Sequence, residues 1–159
     1  MTNWRLEVAT GGQSNPVHHA VTRRSKYVYF FSDKHHGGGA KGGSQWSPDL
    51  SRNEEFSIFD AADWHELSGR RGWLYGILRA DAKHLRYLGT WGQQVAEFRR
   101  ARKGERWHGY PLYPVNSTLA PPNRRGDKAK PSKEVFQKME RAALITVKER
   151  QRLLKGDYI

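Results

Sequence analysis

Seven histidines and no cysteine bound the chemistry this chain can carry. Without cysteine there is no disulfide, no thiolate metal site and no thiol nucleophile. Imidazole remains, the side chain whose ordinary pKa lies nearest neutrality and so the natural proton carrier. The histidines stand at His18, His19, His35, His36, His65, His84 and His108. A zinc site asks for histidines at i and i+4 of a helix, or histidine backed by carboxylate, and no HExxH pattern is present. The least poor set, Asp33 with His35 and His36, lacks that spacing, so no metal and no cofactor are assigned. Exposed polar loop is the plainer account of the two His-His pairs.

His108 stands in a different context. Its surroundings read Arg106-Trp107-His108-Gly109-Tyr110-Pro111-Leu112-Tyr113. Trp107, Tyr110 and Tyr113 offer rings for stacking, Arg106 and Lys103 offer charge for a phosphate, and Gly109 would admit a ligand's backbone. A metal-free ribonuclease needs a base for the 2′-hydroxyl, an acid for the leaving oxygen and a cation for the charge on phosphorus. His108 with His35 or His36, and with Tyr110, are the candidate catalytic groups. An extended segment puts Arg106, His108 and Tyr110 on one face and sends Trp107 to the other. The competing structural account has Trp107 and Tyr113 in a core and His108 bonded to a backbone carbonyl.

Other chemistries lack their residues. No GxSxG elbow accompanies Ser44, Ser47 or Ser51. The glycines at 37 to 39, 42 and 43 suggest a phosphate cradle, but no GxxxxGK[ST] pattern follows. Carboxylates are too scattered for a two-metal nuclease. Asp60, Asp63 and Glu66 suit helix capping and dipole complementation better than catalysis.

The balance of charge points to a polyanion. The chain carries 28 Lys and Arg against 16 Asp and Glu. The excess concentrates in residues 61–131, with 14 basic and 6 acidic side chains. Arg99, Arg100, Arg102, Lys103 and Arg106, with Lys41 from the glycine-rich stretch, are the candidate nucleic-acid contacts. RNA is favoured over DNA, with an acidic protein such as a cognate inhibitor as the other partner class. A soluble basic protein without such a partner is the plain alternative. No apolar run reaches the roughly 20 residues of a membrane span, and the N-terminus lacks a signal peptide's apolar core. The expectation is a cytoplasmic site of action. Absence of cysteine also fits a secreted toxin that crosses a membrane unfolded.

These side chains need elements to hold them. Trp4 to Ala9 alternates as a short strand, and residues 13–24 read as loop or short helix. Ser25 to Ser32, apolar on both faces, reads as a central strand. Residues 33–55 read as a long glycine-rich loop with no packed element, expected to be mobile and to act as a lid. Phe56 to Phe59 suggests a brief strand, and Asp60 an N-cap for a helix that Gly69 stops. Gly72 to Ala80 and Leu85 to Thr90 flank a four-residue turn and predict a hairpin. Thr90-x-x-Gln93 resembles a capping box, so 91–103 is expected as helix. Trp107 to Val115 is expected extended, at a sheet edge.

Residues 116–131 read as a surface linker. Ser132 then caps an amphipathic helix, and Thr146-x-x-Glu149 opens a second one ended by Gly156. This pair over 132–159 is expected to pack on or beside the sheet. A DNA-reading helix-turn-helix is the weaker account, because the usual turn glycine is missing.

The expected whole is one α+β domain over 1–159, a small antiparallel sheet with a glycine-rich loop and a C-terminal helical hairpin. Two functional readings remain open. One is an RNA-directed, metal-independent endoribonuclease of toxin type using histidine acid–base chemistry. The other is a non-catalytic interaction module, a phage- or toxin-associated accessory factor that binds an acidic protein or nucleic acid.

Overall fold

Two stretches of alternating burial set the architecture. From Val28 to Ser32 and from Trp107 to Pro111, every second residue is buried: Tyr29 and Phe31 in the first, Trp107, Gly109 and Pro111 in the second. That period of two is the mark of a sheet with one face covered. The computed structural model describes residues 7–8, 18–37, 44–69, 71–100, 102–113 and 131–156.

The strands form two three-stranded antiparallel sheets. The first holds β1 (Glu7–Val8), β2 (His18–Val21) and β3 (Val28–Phe30) in that order. The second holds β4 (Leu74–Gly76), β5 (Ala96–Arg99) and β6 (His108–Pro111). A parallel bridge from Tyr29 to Trp107 joins them. Phe30 N–H donates to the Trp107 carbonyl at 2.8 Å, and Trp107 N–H to the Val28 carbonyl at 2.7 Å. β3 therefore lies against the start of β6, and the outer faces of both strands meet along one seam.

Under the seam sits an aromatic core. The Tyr29 ring packs 4.8 Å from Phe59 and 5.8 Å from Phe98, and Phe59 lies 5.6 Å from Trp107. Phe59 belongs to α1 (Arg52–Trp64), which buries Phe56, Ile58, Phe59 and Ala62 against the second sheet. The helix approaches β4 so closely that a Cβ on Gly76 would stand 2.4 Å from Ile58 Cγ2.

The C-terminal helix pair follows the capping signals. α2 (Lys133–Arg141) starts after Ser132, and α3 (Val147–Lys155) starts at a Thr146–Glu149 capping box and ends at Gly156 with φ 77°. Val135, Phe136, Met139 and Leu153 are its buried side. Arg79 forks onto Glu149 at 3.1 and 3.0 Å and bonds the Leu144 carbonyl, and Lys138 reaches the Glu66 carbonyl. The pair is thus tied to the turn after α1 and to the turn after residue 79.

Several expected elements are different. Residues 18–21 form β2 where loop or helix was expected, because pairing with β3 completes the first sheet. The brief strand at 56–59 and the helix from Asp60 are one helix, α1. It starts at a Ser51–Glu54 capping box, in which each residue's side chain bonds the other's backbone. Asp60 and Asp63 are not its caps. They hold the 22–27 turn, Asp60 accepting from Arg23 and Asp63 from Ser25.

The chain does reverse at 81–84, where Ala80 N–H donates to the His84 carbonyl and Arg79 bridges Leu85. β4, however, pairs with β5 and not with 85–90. The helix expected at 91–103 is a turn followed by β5. Gln93 closes the turn by accepting from Trp91 N–H, and Val95, Ala96, Glu97 and Phe98 are all buried. Helix propensity yields here to sheet pairing on both sides. The long stretch at 33–55 is not structureless: it holds a 3-10 turn at Asp33–His35, an isolated bridge from Trp46 to Gly89 and the start of α1. The linker 116–131 lies outside the described residues except for Pro131, and so do residues 38–43 of the glycine-rich stretch.

Candidate functional site

The seam between the sheets carries an open cleft of about 390 Å³, lined by Phe30, Ser32, Lys34, His35, Arg106 and His108. Alternation explains who is there. Tyr29 and Trp107 are paired and point inward, so Phe30 and Ser32 on one side, and Arg106 and His108 on the other, share the outer face. After Ser32 the 3-10 turn swings Lys34 and His35 over the same cleft.

The His35 and His108 rings lie nearly parallel, 4° apart in plane and 6.3 Å between centroids. His35 is buried, and its Nδ1 lies 2.8 Å from the Ser44 carbonyl. A carbonyl only accepts, so Nδ1 carries the proton and the neutral ring keeps its lone pair on Nε2. His108 is half-buried, its ring stacked on that of His35. Burial holds both imidazoles below their ordinary pKa. The Ser44 bond opposes this at His35, while His35, Arg99 and Lys34 add to it at His108. Both rings are therefore ready to accept protons and give them up on the acidic side of neutrality.

Tyr110 projects on the same face as His108, its ring 5.2 Å from His35. Its hydroxyl donates to the buried Glu97 at 2.6 Å, so the ring supports His35 and the oxygen is engaged elsewhere. His36 turns away from the cleft. Its Nε2 lies 2.9 Å from Glu55 Oε2, and Tyr29 donates to the other oxygen of that buried carboxylate. Of the candidate catalytic set, the fold joins His35, His108 and Tyr110 and sends His36 to α1. Gly109, read as room for a ligand, is filled from within: Phe98 and Tyr29 occupy the space a side chain would take.

The cationic cluster divides. Arg99 is paired with Glu97 and lies 3.8 Å over the Trp73 ring, and Arg100 lies over Trp107 and Tyr27 at 4.9 and 5.2 Å. Both guanidinium groups lie over rings along the sheet. Arg102 and Lys103 are exposed on the β5–β6 loop, the Arg102 side chain 86% exposed, and Arg106 reaches the cleft itself. Lys41 lies outside the described residues. Phe30, Ser32 and Lys34 were not singled out from sequence. The signal for them was present, since Phe30 and Ser32 alternate with the most buried residues of their strand and Lys34 adjoins His35.

Among the described residues no group of three or more His, Asp and Glu could hold a metal ion, and no helix is long and apolar enough to cross a membrane. Compared with models of protein families, with curated proteins and with solved structures, the chain matches none.

Proposed function

We propose that the cleft binds single-stranded RNA and cleaves it without metal, His35 acting as general base and His108 as general acid. The observation that supports this reading is the pair of parallel imidazoles, 6.3 Å apart, in a cleft whose other polar side chains are Lys34, Arg106 and Ser32. His35 Nε2, unprotonated because Nδ1 serves Ser44, takes the proton of a ribose 2′-hydroxyl. The 2′-oxygen then forms a bond to the adjacent phosphorus and the bond from phosphorus to the 5′-oxygen breaks. His108 gives its proton to that leaving oxygen. The products are a 2′,3′-cyclic phosphate and a free 5′-hydroxyl. Lys34 and Arg106 balance the charge that grows on the non-bridging oxygens.

Purified protein with end-labelled RNA in EDTA tests the reading. Cleavage should proceed in the chelator and leave cyclic phosphate ends. His35→Ala and His108→Ala should each lower the rate by on the order of a hundredfold or more, with RNA affinity nearly kept. RNA left intact by the wild-type protein, or cleaved equally by the His108→Ala protein, refutes it.

A second reading, a non-catalytic module for RNA or an acidic protein, draws on the exposed Arg102 and Lys103, which lie outside the cleft. It predicts salt-sensitive binding with no cleavage, and binding that Arg102 and Lys103 govern more than the histidines do.

A further inference from the structure

We infer that Gln93 and the Ser44 hydroxyl are positioning residues that fix the tautomer and basicity of His35, an inference that rests on the acid–base reading of the cleft. Ser44 does two jobs. Its carbonyl holds His35 Nδ1 at 2.8 Å, and its hydroxyl donates to the Pro111 carbonyl on β6. The same hydroxyl accepts from Gln93 Nε2 at 3.3 Å. Gln93 is itself well bonded: it is fully buried, its Oε1 accepts from Trp91 N–H at 2.9 Å, and its own carbonyl accepts from Leu88 N–H. A Cβ on Gly89 would fall 2.1 Å from Gln93 Oε1, so the glycine is the seat that admits the amide.

A buried glutamine is costly to keep unless each polar atom is satisfied. Here the amide leads from a closed turn, through one serine, to the buried ring that lines the cleft. The carbonyl that orients His35 is thereby anchored to the strand that carries His108. The two rings keep their mutual geometry because both answer to β6, His108 as a member and His35 through Ser44 and Pro111. The Ser44 carbonyl favours the protonated ring, against burial. Loosening it should lower the His35 pKa further and release the Nδ1–H tautomer.

The test is 15N NMR of the His35 ring, which reports tautomer and pKa whether or not any RNA is cut. In the wild-type protein the neutral ring should be the Nδ1–H form. Ser44→Ala and Gln93→Met should each let the Nε2–H form appear and move the titration of His35 to lower pH. Ser44→Thr, which keeps a hydroxyl, should restore the wild-type spectrum. The double variant should do no more than either single one, because both act through one bond. Thermal unfolding of each variant serves as the reference for an intact fold. An unchanged single tautomer and unchanged His35 titration in folded Ser44→Ala or Gln93→Met protein overturns the proposal. A shifted tautomer with no ribonuclease activity in any variant upholds the positioning role and discards the reaction. Where cleavage is present, the acidic limb of the rate profile should move with the His35 titration, which a merely structural defect would not cause.

Discussion

Gly109→Ala is the substitution that tests the seam and the cleft together. An added methyl would stand 2.3 Å from Phe98 Cδ1, 2.5 Å from Phe98 Cε1 and 3.1 Å from the Tyr29 hydroxyl. Ordinary contact begins near 3.4 Å, so the ring must retreat by about 1 Å. Phe98 has nowhere to go. It is fully buried, with Tyr29, Phe59 and Trp46 packed around it at 5.8, 5.0 and 6.4 Å. Overpacking of this kind costs about 3 kcal/mol at the upper end of its range. Alanine returns some of this by restricting the unfolded chain, which leaves a net loss of about 2 kcal/mol. For a chain of this size that is a fall in Tm of roughly 4–8 °C. The assay is urea and thermal unfolding of four proteins: wild type, Gly109→Ala, Phe98→Leu and the double variant. Leucine lacks the ring edge that the methyl strikes, so the alanine should cost at least about 1 kcal/mol less in the leucine background. An equal cost in both backgrounds, or a loss under about 0.5 kcal/mol, would refute the argument from close packing.

Other outcomes follow from the same geometry. Burial disfavours the charged form of both imidazoles, so both limbs of the cleavage profile should fall below the ordinary histidine value of 6.5. Activity should be lost at low pH as the base is protonated and at higher pH as the acid is deprotonated; an optimum above neutrality would contradict this. RNA affinity should weaken with salt, and Arg102→Ala and Arg106→Ala should each reduce the log–log slope by roughly 0.7 in a filter-binding series, whereas Arg100→Ala should not. Arg79→Ala should cost about 2 kcal/mol near neutrality in denaturant melts. Burial pushes the Glu149 carboxyl up, but bonds from Arg79 and Thr146 outweigh it and hold the folded value below the ordinary one. That contribution is complete above about pH 4.3 and is lost as the pH falls through the folded value, so variant and wild type should converge in acid. Ser51→Ala, which breaks the capping box of α1, should lower stability by about 1 kcal/mol in the same melts.

What the sequence reveals of this molecule is local. The facing of His108 and Tyr110 away from Trp107 needed nothing beyond the period of a strand, and the C-terminal helices announced themselves by Thr146, Glu149 and Gly156. The Ser51-Arg52-Asn53-Glu54 cap was equally local, and it was passed over because the glycine-rich run before it drew the whole stretch into a loop. β5 was hidden for a different reason. Gln93, Gln94 and Glu97 look like helix-surface residues until their partners are known, and those partners are Ser44, Leu85 and Tyr110, 49, 9 and 13 residues away in the chain. The same holds for Arg99 and Arg100, whose places over the Trp73, Tyr27 and Trp107 rings no local pattern announces. The approach of His35 to His108 depends on a parallel bridge that no periodicity encodes, and composition alone did not separate His35 from His36. The turn that follows Ser32 does so, facing one ring to the cleft and the other to Glu55.

The bridge between Tyr29 and Trp107 has a kinetic consequence. Its two sides are about 78 residues apart in the chain, whereas β2 with β3 and β5 with β6 close over short turns. The entropy of closing a loop grows with its length, so the short hairpins have the cheaper closures and the long one waits until α1 and the strands around it can reward it. The cleft is therefore expected to form late in folding, which site-resolved refolding kinetics would check. A partly folded chain without the bridge would hold His35 in the turn after β3 and His108 on β6, without the geometry to act on RNA. Two fragments divided between 29 and 107, each unreactive alone, should recover the cleft on mixing if they recover the bridge.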